Sequence, residues 1–204
     1  MKLFYNPASP FVRKVMVTAI ECGLQDQIDI DALALTPVNP SDSLNAENPL
    51  GKIPSLVLDN GDTLFDSRVI CEYLNELGHG SLFPAGEARW DNLRRQAMAD
   101  GICDAGVLVR YETFARPQEK QWDHWIENQK LKFRRALQVL ETDASSFAGK
   151  VDIGALSIAI ALDYIDFRYA DEDWRTECPA LAEWHTSISA RESLQQTRPT
   201  DLAS

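Results

Sequence analysis

The stretch "NPASPFVRKVMVTAIECG", Asn6 to Gly23, decides how this chain of 204 residues folds. Ser9 precedes Pro10, and a serine followed by proline opens an α-helix: the hydroxyl accepts a free backbone N–H, and the donor that proline lacks is not needed in the first turn. Phe11, Val12, Val15, Met16, Ala19 and Ile20 then recur at helical spacing. Gly23 suits the left-handed turn that ends a helix. Upstream, "KLFY" reads as a short strand, so the order is strand, tight loop, helix. A helix N-terminus emerging from a strand is also an anion site, because its free N–H groups and dipole favour negative charge. Ser9 therefore has two readings, helix cap and active-site hydroxyl, and local geometry leaves both open.

Working outward, "IDIDALAL" (28–35) alternates in part and fits a second strand. "TPVNPSDSLNAENPLGK" (36–52) is rich in Pro, Asn and Ser and reads as a long irregular segment, a kind of loop that tends to be functional. "IPSLVLDNGDTLFDS" (53–67) places two apolar runs around Asn60-Gly61, the strongest short hairpin signal. A helix follows from Ser67, with Val69, Ile70, Tyr73, Leu74 and Leu77 on one face and Gly78 beyond its end. Residues 1–77 thus predict a compact α/β domain ordered β-α-β-loop-β-β-α. After a Gly/Pro-containing linker the strand signals vanish, and helical patterns run over about 87–115, 118–145, 153–169 and 179–191, predicting an all-α domain over 87–204. All five tryptophans lie in that second part, where a helical bundle has use for an aromatic core.

The formal net charge of −11 argues against nucleic acid as a partner, since binding a phosphate backbone needs a basic stripe. An anionic small molecule remains compatible, because a few local donors outweigh a diffuse, screened charge. No apolar run reaches the length of a signal peptide or a membrane span, which predicts a soluble, cytoplasmic protein without a membrane partner. Cys22, Cys71, Cys103 and Cys178 are scattered and form no CxxC pair, so they read as reduced, mostly buried thiols. His79, His124 and His185 lack ligand spacing, and no metal is expected.

Three motifs occur in one order: "SPF" at a strand-to-helix turn, "NPLGKIPSLVLDNG" before a hairpin, and "FDS" opening the next helix. Together with "ASPFVRKV" and "ALDYIDFR" they resemble the glutathione transferase superfamily, in particular its bacterial members, over essentially the whole chain. The resemblance implies a thioredoxin-like N-terminal domain, an all-helical C-terminal domain and glutathione as co-substrate. It also implies that Ser9 activates the glutathione thiol for attack on an electrophilic small molecule, as in detoxification. Glutathione-dependent isomerisation, dehalogenation or peroxide reduction share the thiolate, and a non-enzymatic glutathione-binding or interaction protein shares the fold. A serine rather than a cysteine at this position points to thiol activation instead of mixed-disulfide exchange. Tyr5 is a competing hydroxyl, placed less favourably in the strand before the loop.

The chemistry of these residues agrees with that resemblance. A free thiol titrates near about 8.5, and lowering that value by one unit takes about 1.4 kcal/mol of preferential thiolate binding. A hydroxyl at a helix mouth offers a charge-assisted hydrogen bond plus the dipole, together about 2–3 kcal/mol. Capping the helix and facing a thiolate both require the hydroxyl in one place. Ile53-Pro54 is a candidate cis peptide that would turn the Ile53 backbone outward to pair with an extended ligand, though the same residues suit an edge strand opening on proline. The resemblance implies the cis form, with Lys52 as the nearby cation for a carboxylate. It further implies that Asp66 and Ser67 hold the ammonium and carboxylate of the γ-glutamyl group; Asp66 is one methylene shorter than the Glu that many members carry.

In the helical part, "ADGICDAGVLVRYETFARP" (99–117) is unusually charged for a helix that must also bury Ile102, Val107 and Leu108. Its charges suit a solvated face. Alternatively Asp104 and Tyr111, with Phe11 and Arg13 from the first helix, line a pocket for a polar or anionic second substrate. The resemblance also implies a homodimer, in which Asp100 or Asp104 of one chain approaches the γ-glutamyl site of the other. Where the family has Ser/Thr and, three residues on, Asp at a helix start, this chain has Asp152 and Ala155, predicting a weaker start.

Overall fold

The computed structural model describes residues 1–202. Strand β1 (Lys2–Tyr5) is central and carries buried Leu3 and Phe4. Helix α1 (Pro10–Glu21) returns the chain to β2 (Asp29–Ala32), which pairs parallel to β1 at the sheet edge. Its Asp29 and Asp31 suit an edge strand, because charge there discourages further pairing. Within the segment read as irregular, a short helix α2 (Asp42–Glu47) forms, capped by Ser41, whose hydroxyl accepts from Leu44 N. The long loop is therefore shorter than expected: Ser41 opens and Asn48 closes a helical turn that buried Leu44 anchors. Strand β3 (Ser55–Val57) runs antiparallel to β1 and forms the anticipated hairpin with β4 (Thr63–Leu64), giving the order β2-β1-β3-β4. At the hairpin tip Gly61 has φ 90°, backbone that glycine adopts without strain.

Helices α1 and α3 (Ser67–Leu77) pack on each other and cover the sheet. Burying Val12, Val15 and Val17 completely stabilises α1 by roughly 1.5 kcal/mol or more per side chain. On α3 the core stripe is narrower than the sequence implied. Ile70, Cys71 and Leu74 are buried, whereas Val69 and Leu77 stay exposed because the supporting α1 reaches only one side of the helix.

The second part consists of α4 (Ala88–Phe114), α5 (Asp123–Phe147), α6 (Ile153–Arg168), the single turn α7 (Trp174–Glu177), α8 (Pro179–Ile188) and α9 (Glu192–Gln196). α5 begins at Asp123 rather than 118, since Gln118–Lys120 form a separate 3-10 turn after Pro117. α6 is buried along most of its length and packs against α4, α8 and α1, so it is the post on which both parts lean. The five tryptophans do not share one core: Trp174 and Trp184 are buried, but Trp90 and Trp122 are 70% and 61% exposed. Among the described residues no helix is long and apolar enough to cross a membrane. The four cysteines are free thiols, and burial pushes Cys71 up to about 11 and Cys103 up as well, which makes both inert.

The start of α6 is not weak. Asp152 accepts from Ala155 N at 2.8 Å, Leu82 O accepts from Ile153 N at 2.9 Å, and Asn92 Oδ1 accepts from Gly154 N at 2.6 Å. Buried Asn92, on α4, does the work expected of the missing cap partner. Only glycine fits at 154, since an added Cβ would lie 2.7 Å from the Asn92 carbonyl oxygen.

Candidate active site

Strand pairing brings the three sequence motifs together. β1 is antiparallel to β3, and β3 to β4, so β1 and β4 run in the same direction and end at the same edge of the sheet. The helices that follow them, α1 and α3, begin at that edge with their caps Ser9 and Asp66. The pairing of Phe4 with Ser55 places the start of β3, and with it Lys52, Ile53 and Pro54, beside the end of β1. Ser9, the Lys52–Pro54 corner and Ser67 thus share one side of the sheet.

Each position has local support. Ser9 is half-buried; its Oγ accepts from Val12 N at 3.3 Å, a long cap bond that leaves the hydroxyl proton free to donate. The preceding turn is fixed by Asn6, whose carbonyl accepts from Ser9 N, whose Oδ1 accepts from Ala8 N and whose Nδ2 donates to Leu33 O. Ile53-Pro54 is cis. Neither the N–H nor the C=O of Ile53 meets a hydrogen-bond partner among the described residues. Buried Asn48 holds this corner: its Nδ2 donates to Lys52 O at 3.0 Å and to Ser55 Oγ at 2.9 Å. Sequence reasoning missed Asn6, Asn48 and Asn92; each asparagine stood beside a turn or helix start, where its side chain commonly binds backbone. Asp66 is exposed and accepts from Arg68 N at 3.0 Å, whereas Ser67 is buried with a hydroxyl that has no partner among the described residues. The Phe65-Asp66 bond is also cis. Tyr5 ends β1, and burial pushes its phenol up, so it stays protonated.

The helical part closes over this edge through α4. Asp100 is buried, with one oxygen 2.6 Å from Lys14 Nζ on α1 and the other 2.8 Å from Arg68 Nε on α3. Asp100 is therefore not a solvated surface charge: it is buried, and each of its oxygens meets a cation of its own chain. Asp104, one turn on, is exposed; partial burial of its carboxyl and the charge of Asp100 push it up, against Arg68, Lys52 and Lys14.

Arg13 does not line a cleft. Its guanidinium is buried and donates to Asp163 at 2.6 Å, to Leu194 O at 3.1 Å and to Thr197 Oγ1 at 3.3 Å, because the fourth residue of α1 faces the helical part. Phe11 is half-buried against the core, and Tyr111 lines an open cleft farther along α4. Burial pushes the Tyr111 phenol up. Asp163, Asp166 and His185 bring their ligand atoms within 4.8 Å of one another. These atoms are already engaged: Asp163 by Arg13 and His185, Asp166 by Arg175 and Trp174 Nε1.

Family models for the glutathione S-transferase N-terminal and C-terminal domains match residues 8–77 and 123–187. The chain belongs to the glutathione S-transferase family. A crystal structure of a glutathione transferase family member from Pseudomonas fluorescens, with bound glutathione, is 51% identical, with 98% of each chain covered and a TM-score of 0.95. A glutathione S-transferase from Methylobacillus flagellatus, also with glutathione bound, is 33% identical over 98% of this chain and 99% of its own, at a TM-score of 0.84. The uncharacterized GST-like protein YibF of Escherichia coli K12 is 33% identical, with 98% of both chains covered.

Proposed function

We propose that this protein is a glutathione transferase in which Ser9 holds the thiolate of glutathione for attack on an electrophile. The observation that carries the reading is the gathering of Ser9, the unpaired Ile53 backbone and Ser67 at one sheet edge, under two helix N-termini. Ile53 N–H and C=O would pair with the cysteinyl part of the tripeptide, Lys52 would meet a carboxylate, Asp66 would face the γ-glutamyl ammonium, and Ser67 with the α3 N-terminus its carboxylate. The Ser9 hydroxyl accepts from Val12 N and donates to sulfur. The thiol proton leaves to water; the sulfur lone pair forms the new carbon–sulfur bond, and the leaving group departs with the pair of the bond that breaks. Conjugation is favoured over isomerisation or peroxide reduction by a second crystal structure of the same Pseudomonas fluorescens family member, which holds S-(propanoic acid)-glutathione, a glutathione substituted at sulfur.

In the same reading the protein is a cytoplasmic homodimer. Free thiols suit a reducing compartment. Val69 and Leu77 on α3 and Trp90 on α4 are exposed apolar side chains available to a second copy, and Asp104 is the remaining acid able to approach a partner's γ-glutamyl site. Sedimentation as a monomer at micromolar concentration rules the dimer out. The catalytic assignment is tested with Ser9→Ala and 1-chloro-2,4-dinitrobenzene: turnover falls while calorimetric glutathione affinity is nearly kept. Unchanged turnover removes Ser9 from the mechanism, and tight glutathione binding without turnover of any electrophile favours a binding protein.

A further inference from the structure

Asp100, Asp104, Leu108, Tyr111 and Ala115 follow one another at spacings of three and four, so they lie along a single face of α4. The first two belong to the glutathione end: Asp100 is tied to Lys14 and Arg68, and Asp104 feels the charge of Lys52. The last three line an open cleft of about 640 Å³. At about 1.5 Å of rise per residue, Tyr111 stands about 10 Å along the axis from Asp104, farther along the same helix face. Its other walls are Pro37 and Val38, from the segment after β2, and Trp122 and Trp125, from the start of α5.

The floor of this cleft is fastened. Buried Glu112 accepts from Arg116 Nε at 2.7 Å and from Trp122 N at 3.1 Å, and Gln121 Nε2 donates to the carbonyls of Thr113 and Arg116. These bonds clamp the 115–122 turn to α4 and set Trp122 at the wall. They also satisfy Glu112 internally. The terminal nitrogens of Arg116 and the ammonium of Lys120 meet no partner among the described residues. In a chain of net charge −11, the charges lining this cleft are two cations against one already paired carboxylate. Aromatic walls with free cations at the rim match a flat apolar body that ends in an anion.

We propose that this cleft takes an aromatic carboxylate as the second substrate. Its role as a substrate rests on the transferase reading, but its binding does not. The test is calorimetric titration of the full chain, without glutathione, with unreactive 4-nitrobenzoate and its uncharged counterpart 4-nitrobenzamide. The acid is expected to bind about tenfold more tightly than the amide. Lys120→Gln, at an exposed side chain that takes no part in the clamp, should lower acid affinity about threefold with amide binding unchanged. Equal affinities for acid and amide, or acid binding indifferent to Lys120→Gln in a folded variant, overturn the proposal. Turnover of 4-chloro-3-nitrobenzoate and 4-chloro-3-nitrobenzamide separates the two readings. Acid-selective binding without conjugation of these compounds, of 1-chloro-2,4-dinitrobenzene or of any other electrophile leaves this site standing and fails the transferase. Conjugation of both with no acid preference does the reverse.

Discussion

Two helix starts in this molecule look alike in sequence and differ in use. α1 opens on Ser9 and α6 on Asp152, and each cap side chain accepts one N–H of its own helix. At α6 the next N–H groups are also taken, by Leu82 O and Asn92 Oδ1, and Ile153, Gly154 and Ala155 are buried. At α1 the cap bond is long, 3.3 Å against 2.8 Å, and the hydroxyl keeps its proton for another acceptor. A helix N-terminus attracts anions wherever it occurs; it serves chemistry only where the surrounding chain does not itself consume the donors.

Ser9→Ala is the hardest blow to that contrast. It removes a charge-assisted bond to sulfur and leaves the helix dipole, so kcat/KM for conjugation should fall about 10- to 30-fold, from a loss of about 1.5–2 kcal/mol. The lost cap should lower stability by only about 1 kcal/mol in urea denaturation. The mirror experiment is Asn92→Ala, which leaves Gly154 N–H buried without a partner. Stability should fall by about 1–3 kcal/mol while kcat/KM measured on the folded protein is unchanged. If activity falls and stability does not, the division of labour between the two ends is mistaken.

Acid tests the seam between the parts. Burial pushes Asp163 up, but the hydrogen bond from His185 and the Arg13 charge outweigh it and hold the carboxyl below the usual range; Glu21 is lowered likewise against its burial by Arg191 and Ser193. Groups with depressed native values contribute stability that is complete above the unfolded value of about 4 and is lost as pH falls toward and through the native one. Melting temperature should therefore drop below about pH 4, and Asp163→Asn should flatten that decline while lowering stability at neutral pH. The smallest effect belongs to Asp66→Asn. The amide oxygen still caps α3, so stability holds, while glutathione affinity falls about two- to fivefold by calorimetry as one charge facing the ammonium is lost.

The readable parts of this protein were those set by short-range physics. Ser9-Pro10, the Asn60-Gly61 turn, Gly23 and the caps at Asp66 and Asp152 act within a few residues, so those turns and helix starts could be named from the string, while the resemblance supplied the candidate glutathione residues. Where partners lay far apart in sequence, reading failed. Arg13 looked like a pocket residue and is buried on Asp163, 150 positions away; Asp100 looked solvated and joins α1 to α3; Trp90 and Trp122 looked like core and are exposed. A lysine or arginine buys no signal in a periodic pattern when its countercharge comes from another helix. The sequence by itself determined the caps that open α1, α3 and α6, because those depend on neighbours along the chain. Tertiary structure alone decided that three motifs meet at one sheet edge, that Asn92 completes the start of α6, and that Leu108, Tyr111 and Ala115 of α4 share a cleft with Trp122 and Trp125. Strand direction, burial and the pairing of distant charges arise only when separate elements are packed together.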